Sequence, residues 1–275
     1  MSSADHVSRR RTLRPALSLA SREMKHFFRQ RGRVIGALGT PVIFWLFIGG
    51  GVGSSFSSDA LTGSDDYLGY FFPGTLALIL LFTSLFSMIS LIKERGEGFL
   101  QGVLVAPVSR EGIVLGKVLG CTAIASIQGG LYLLAAPFVG IAFDPVRMAA
   151  AAGLVVLIGF ALSAFAFVFA WRSESIQSFH AVMNLVLFPL WLLSGALFPA
   201  SGAAPWLAWL IRLNPLSYGV SAFRHALIPA DDLADVAIPG AGLCVGVSIA
   251  FAVVSFLAAL RLVHSSGRDG AAATN

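Results

Sequence analysis

Residues 93 to 117 read Lys-Glu-Arg-Gly-Glu-Gly-Phe-Leu-Gln-Gly-Val-Leu-Val-Ala-Pro-Val-Ser-Arg-Glu-Gly-Ile-Val-Leu-Gly-Lys, a charged island between two apolar runs long enough to cross a bilayer. Glu94, Arg95 and Glu97 crowd the end of the first run. Phe99, Leu100, Val103 and Leu104 then recur at the spacing of one helical face, and Pro107 ends that helix. Ser109 can cap a new helix at once, with Glu111 adding negative charge in its first turn where the helix dipole favours it. The chemistry available is recognition rather than bond breaking. Charges and an apolar stripe sit on a short helix lying across a membrane surface, braced between two spans.

Other chemistries are poorly served. Gly112-Ile-Val-Leu-Gly116-Lys117-Val118 lacks the spacing and the hydroxyl of a phosphate-binding loop, so the chain is not expected to hydrolyse ATP by itself. Histidines at 6, 26, 180, 225 and 264 are scattered without ligand spacing, and no metal site is expected. No strand-turn-helix elbow presents a nucleophile. Within the apolar runs, His180 is the one ionisable candidate, and Gln128 and Asn184 are polar ones. These three could face a transport pathway, but snorkelling of the histidine and hydrogen bonds between helices are the favoured readings.

The positioning elements follow from composition. At 275 residues, 56% hydrophobic and 12% charged, with a mean hydropathy of +0.81, the chain is too apolar for a soluble globular domain and reads as a multi-pass membrane protein. Its net charge of +5 belongs to the flanks of apolar runs rather than to a nucleic-acid surface, and no nucleic-acid partner is expected. Cys121 and Cys244 lie inside apolar runs and are expected to pack as small hydrophobes. No cleavable signal peptide is expected ahead of the first apolar run.

Charge-free runs of about 20 residues or more mark spanning helices. They predict six, at about 34–56, 68–92, 118–141, 148–171, 177–198 and 237–260. Sixteen of the nineteen Lys and Arg residues fall on the side of the N-terminus and of the 93–117 island. That asymmetry puts both termini in the cytoplasm. The membrane is expected to be a bacterial inner membrane. Residues 1–12 are expected to be disordered and 263–275 to form a cytoplasmic tail.

Two flanking elements complete the expected all-α fold. Over 13–31, Leu13, Leu17, Ala20, Met24, Phe27 and Phe28 share one helical face, and Arg14, Arg22, Lys25 and Arg29 share the other. This predicts an amphipathic interfacial helix in contact with membrane lipids. Between the fifth and sixth spans, Trp206 and Trp209 sit on one short apolar helix, and Asn214-Pro215 starts a second with Asn as cap and Pro at the first position. Two short external re-entrant helices are expected there, the tryptophans at interface depth.

At these residues the chain resembles the ABC-2 type permease family of ABC transporters, in the branch of drug-efflux and lipo-oligosaccharide export permeases. Glu94, Arg95, Gly98, Leu100, Leu104, Pro107, Val108, Ser109, Arg110, Gly116 and Lys117 fit the family pattern, although Gly96 stands where a second Glu is common. Asn214-Pro215-Leu216-Ser217-Tyr218-Gly219 resembles a second family motif. The resemblance implies a permease domain over 13–262 whose 94–110 segment is a coupling helix seated in a separate ABC ATPase. It further implies two ATPase copies carrying ATP and Mg, and a second, identical permease subunit forming a homodimer. The implied activity is export of an amphipathic drug, a lipid or a glycoconjugate. An ion-coupled secondary transporter and a non-transporting ATPase anchor are the competing classes. The first would need mid-span carboxylates and an inverted repeat, and neither is visible.

Overall fold

The computed structural model describes residues 3–52, 67–97, 109–197, 204–229 and 239–272, with side chains within 15–51, 67–97, 109–197, 204–229 and 239–265. Among them every regular element is a helix. In order come α1 (Ser3–Arg29), α2 (Arg31–Val52), α3 (Tyr67–Gly96), α4 (Arg110–Leu133), a short 3-10 turn (Ala136–Val139), α5 (Pro145–Arg172), α6 (Ile176–Leu192), α7 (Pro205–Leu213), α8 (Pro215–Leu227) and α9 (Ala241–Ala272).

Among the described residues five helices, α2, α3, α4, α5 and α9, are long and apolar enough to cross a membrane. The span expected over 177–198 is instead a shorter helix interrupted by a π-helical turn at Met183–Leu187. Pro189 lies just beyond that turn; it has no N–H to offer, and its ring crowds the carbonyl four residues back, which a wider turn relieves. After Leu192 the chain turns through Gly195, whose φ of 71° is left-handed and costs glycine nothing.

Three other boundaries differ from expectation. α1 begins at Ser3, not at residue 13: residues 3–14 hold no Gly or Pro to interrupt a helix. α9 continues past 262 to Ala272. α4 starts at Arg110, eight residues before the charge-free run, because the Ser109 hydroxyl accepts a hydrogen bond from the Gly112 N–H at 3.1 Å and fixes the start.

α3 is the axle of the bundle. Phe71, Phe72, Leu76, Ile79 and Leu80 are fully enclosed by its neighbours. Phe72 stacks on Tyr132 of α4 with centroids 4.4 Å apart, and the Trp45 indole of α2 donates to the Leu68 carbonyl at 3.1 Å. Polar pairs lock the interior: the Thr83 hydroxyl donates to Gln128 Oε1, and Ser84 and Ser163 join α3 to α5 at 3.2 Å. Phe160 with Phe256 and Phe165 with Phe251 pack α5 on α9.

Candidate site at the charged end of the bundle

The end of α3 and the start of α4 flank residues 98–108, and the charges nearest that segment lead into the bundle. α1 lies close against α4. Its buried face is Ala16, Ala20, Glu23 and Phe27, and the facing surface of α4 carries Gly116 and Gly120. A Cβ at Gly116 would stand 2.9 Å from the Ala16 carbonyl oxygen, and one at Gly120 would stand 2.9 Å from the Cβ of Glu23. Only glycine at these positions lets the two backbones approach so closely, as in small-xxx-small helix pairs.

That approach brings Glu23 onto Lys117, which is 2% exposed. The Lys117 ammonium hydrogen-bonds the Glu23 carboxylate and lies 2.6 Å from Glu94 Oε2 as an ion pair. Arg22 pairs with the other Glu94 oxygen, and the Ser90 hydroxyl donates to Glu23 Oε2 at 2.7 Å. Two cations and two carboxylates from α1, α3 and α4 thus form one neutral cluster. Lys117 and Glu23 are buried, and either ion left alone there would cost several kcal/mol, whereas Arg22 at the rim is 40% exposed.

Neighbouring charges tie in two more helices. Arg95 donates to the carbonyl of Trp171 and, at 2.8 Å, to that of Ser173, which satisfies acceptors at the C-terminus of α5. Arg110 donates to the Val263 and His264 carbonyls of α9 at 3.2 and 3.3 Å. Glu97 and Lys93 are exposed beside the segment that follows. Leu100, Leu104 and Pro107 lie outside the described residues. The sequence-derived set is therefore divided: Glu94, Arg95 and Arg110 grip the bundle, Ser109 caps α4, and Glu97 faces outward.

The amphipathic pattern of α1 resolves differently from its helical wheel. Leu17 and Phe28 are exposed, as are Lys25 and Arg29, while the packed face runs through Ala16, Ala20, Glu23 and Phe27. Arg22 turns to Glu94; the side chain of Arg14 is outside the described set. Gln128 is buried in the α3–α4 seam, whereas His180 and Asn184 are exposed on α6, so these three are not brought together.

At the opposite end Asn214 caps α8, its side-chain oxygen accepting from the Leu216 N–H at 2.9 Å, with Pro215 at the first helical position. Its amide nitrogen also donates to the Leu190 carbonyl. Trp206 and Trp209 are exposed on α7, and the Tyr218 hydroxyl donates to the Arg212 carbonyl at 2.9 Å. Arg224, absent from the sequence-derived set, is buried: it donates to the Gly195 carbonyl at 2.7 Å and lies 4.4 Å above the centre of the Tyr70 ring.

Glu23, Lys117 and Arg224 were each signalled faintly. Glu23 is an acid within a basic helix, Lys117 sits between Gly116 and Gly120, and Arg224 falls one turn beyond Val220 inside the apolar arc of α8.

Comparison with known proteins follows the same outline. The family model described as ABC-2 type transporter matches residues 16–228. Similar curated proteins include the one named transport permease ycf38 of Cyanophora paradoxa, 28% identical over 184 residues, covering 66% of this chain and 63% of that protein, which is less than two thirds of its length. Nodulation protein J of Rhizobium meliloti (strain 1021) is 25% identical over 236 residues, covering 84% of this chain and 85% of that protein.

Proposed function

The chain belongs to the ABC-2 type transporter family, whose members are membrane permeases, and on that premise we propose that it is the transmembrane subunit of an exporter driven by a separate ABC ATPase. ATP and Mg belong, on this reading, to the ATPase. Two copies of this chain assemble over two ATPase copies in a bacterial inner membrane with both termini in the cytoplasm. The cargo is an amphipathic drug, a lipid or a glycoconjugate.

One observation carries the reading: the two helix ends that border residues 98–108 are each fastened to other helices. Glu94 joins α3 to α1 and α4, Arg95 joins α3 to α5, and Arg110 joins α4 to α9. A partner that pushes on 98–108 therefore moves five helices as a unit instead of flexing one loop. In this mechanism Glu97 and Lys93 meet the ATPase, while Glu94 and Arg95 pass the motion inward.

Co-purification with the ATPase encoded beside this chain is the direct test. The complex is expected to form, and its ATP hydrolysis to fall when Glu94, Arg95 and Glu97 are replaced together. Stoichiometric binding with unchanged hydrolysis would instead favour the anchor role. A cysteine replacing Gln101 should resist a membrane-impermeant reagent on intact cells; labelling there would invert the orientation and end the proposal.

A further inference from the structure

Between the end of α5 and the middle of α9 lies an open cleft of about 600 Å³ whose lining includes Arg172, Val254, Leu257, Arg261 and Leu262. It lies at the charged end of the bundle, because Arg95 holds the carbonyls on either side of Arg172, and Arg110 holds those of Val263 and His264 just beyond Arg261. The cleft is graded. Val254 and Leu257 are exposed apolar side chains, and Arg261 follows one turn beyond Leu257 on the same stripe of α9. From Val254 to Arg261 the helix rises about 10 Å, the step from upper acyl chain to headgroup depth.

The two arginines also differ from those around them. Arg22, Arg95 and Arg110 at this end are committed to carboxylates or carbonyls. Among the described residues no carboxylate lies within 4.0 Å of Arg172 or Arg261. Two guanidinium groups above an apolar trough complement a ligand with an anionic head and a greasy tail. A soluble anion would leave the trough unused, and a zwitterionic lipid would bring a positive charge of its own to a site that already holds two guanidinium groups.

We propose that this cleft binds an anionic phospholipid of the cytoplasmic leaflet, its phosphodiester between Arg172 and Arg261 and an acyl chain along Val254 and Leu257. Guanidinium forks donate to phosphate oxygens in pairs, and basic clefts between helices at this depth suit anionic headgroups. The bound lipid bridges α5 and α9, the helices that Arg95 and Arg110 connect to α3 and α4.

The full chain in phosphatidylcholine nanodiscs, probed by electron paramagnetic resonance with spin-labelled phosphatidylglycerol and, separately, spin-labelled phosphatidylcholine, tests the site. Phosphatidylglycerol is expected to be preferred, by about fivefold for each arginine engaged. R172Q/R261Q should abolish the preference, R172K/R261K should retain most of it, and R147Q at the other end should leave it unchanged. Leu257→Trp, which fills the exposed trough without touching either charge, should lower it, so the idea remains testable if the double Gln variant fails to fold. Equal association of both lipids with the wild-type chain, or an unaltered preference in R172Q/R261Q, overturns it. Displacement by free glycerol phosphate as effective as by short-chain phosphatidylglycerol also overturns it, in favour of a soluble-anion site.

Discussion

The two ends of α3 handle buried charge in opposite ways. Tyr70 and Glu94 are 24 residues apart, about 36 Å along the helix. At the Glu94 end, four ionised groups from three helices neutralise one another. At the Tyr70 end a single cation, Arg224, is held by the Gly195 carbonyl and the face of the ring. A carbonyl and a ring orient a cation without demanding a counter-charge from a separate helix. An ion cluster demands that three helices stay in register. The first arrangement anchors, while the second reports and transmits any displacement of α1, α3 or α4.

The sharpest break of this contrast is Lys117→Met. It leaves Glu23 and Glu94 facing each other in a buried space, and loss of one partner from such a set costs about 3–5 kcal/mol. Thermal unfolding of the purified protein should show it. Adding Glu23→Gln and Glu94→Gln to the same chain should recover most of the loss, since the one charge left, Arg22, is 40% exposed and can be hydrated. A neutral Lys117→Met would mean the cluster holds nothing together.

Arg224→Met removes a buried charge instead of stranding one. The Gly195 carbonyl loses a donor and Tyr70 its cation, for an expected cost of about 1–3 kcal/mol. Stability should therefore fall less than in Lys117→Met, without a rescuing second-site change among carboxylates. A reversed ranking would overturn the distinction between the two ends.

These ends were unequally legible in the sequence. Spanning helices showed through because length and apolarity alone decide them, and the caps Ser109 and Asn214 showed through because each acts within three residues. The cluster did not. Lys117 stood at the edge of a charge-free run and looked like a membrane-surface residue, but the Ser109 cap starts α4 earlier and carries Lys117 two turns into the helix. Glu23 sat between the lipid-facing and solvent-facing arcs of a wheel that assumed no protein neighbour. Its burial comes from the glycines of α4, nearly a hundred residues away, and pairwise tertiary contact has no local signature. Likewise the run at 177–198 had the composition of a span, and only Pro189 and Gly195 hinted that the helix would widen and stop.

Docking of α1 can be loosened without touching a charge. Gly116→Val inserts a branched side chain where even a Cβ would lie 2.9 Å from the Ala16 carbonyl oxygen, and overpacking of this kind costs about 1–3 kcal/mol. Because the strain falls between backbones, α1 should separate from α4 before the bundle unfolds. Disulfide trapping between cysteines placed at Phe27 of α1 and Ile124 of α4, which share one buried cluster, should weaken in the variant while the Phe72–Tyr132 core stays intact. Undiminished trapping would show that α1 is held by the ions alone.

The mildest change is Ser109→Ala, expected to cost about 1 kcal/mol, the usual value of an N-cap hydroxyl. Its effect should be local, because the Ser109 hydroxyl serves the Gly112 N–H within the first turn of α4. Hydrogen exchange should rise at Gly112 and its neighbours in the first turn of α4 and stay slow around Lys117, two turns further in. Asn214→Ala at the other end should cost more than its cap alone, since the same side chain also donates to the Leu190 carbonyl and so fastens α8 to α6. If fraying from Ser109→Ala instead spread to Lys117, the helix start and the ion cluster would be one cooperative unit. Transmission from residues 98–108 would then depend on the cap as much as on the charges.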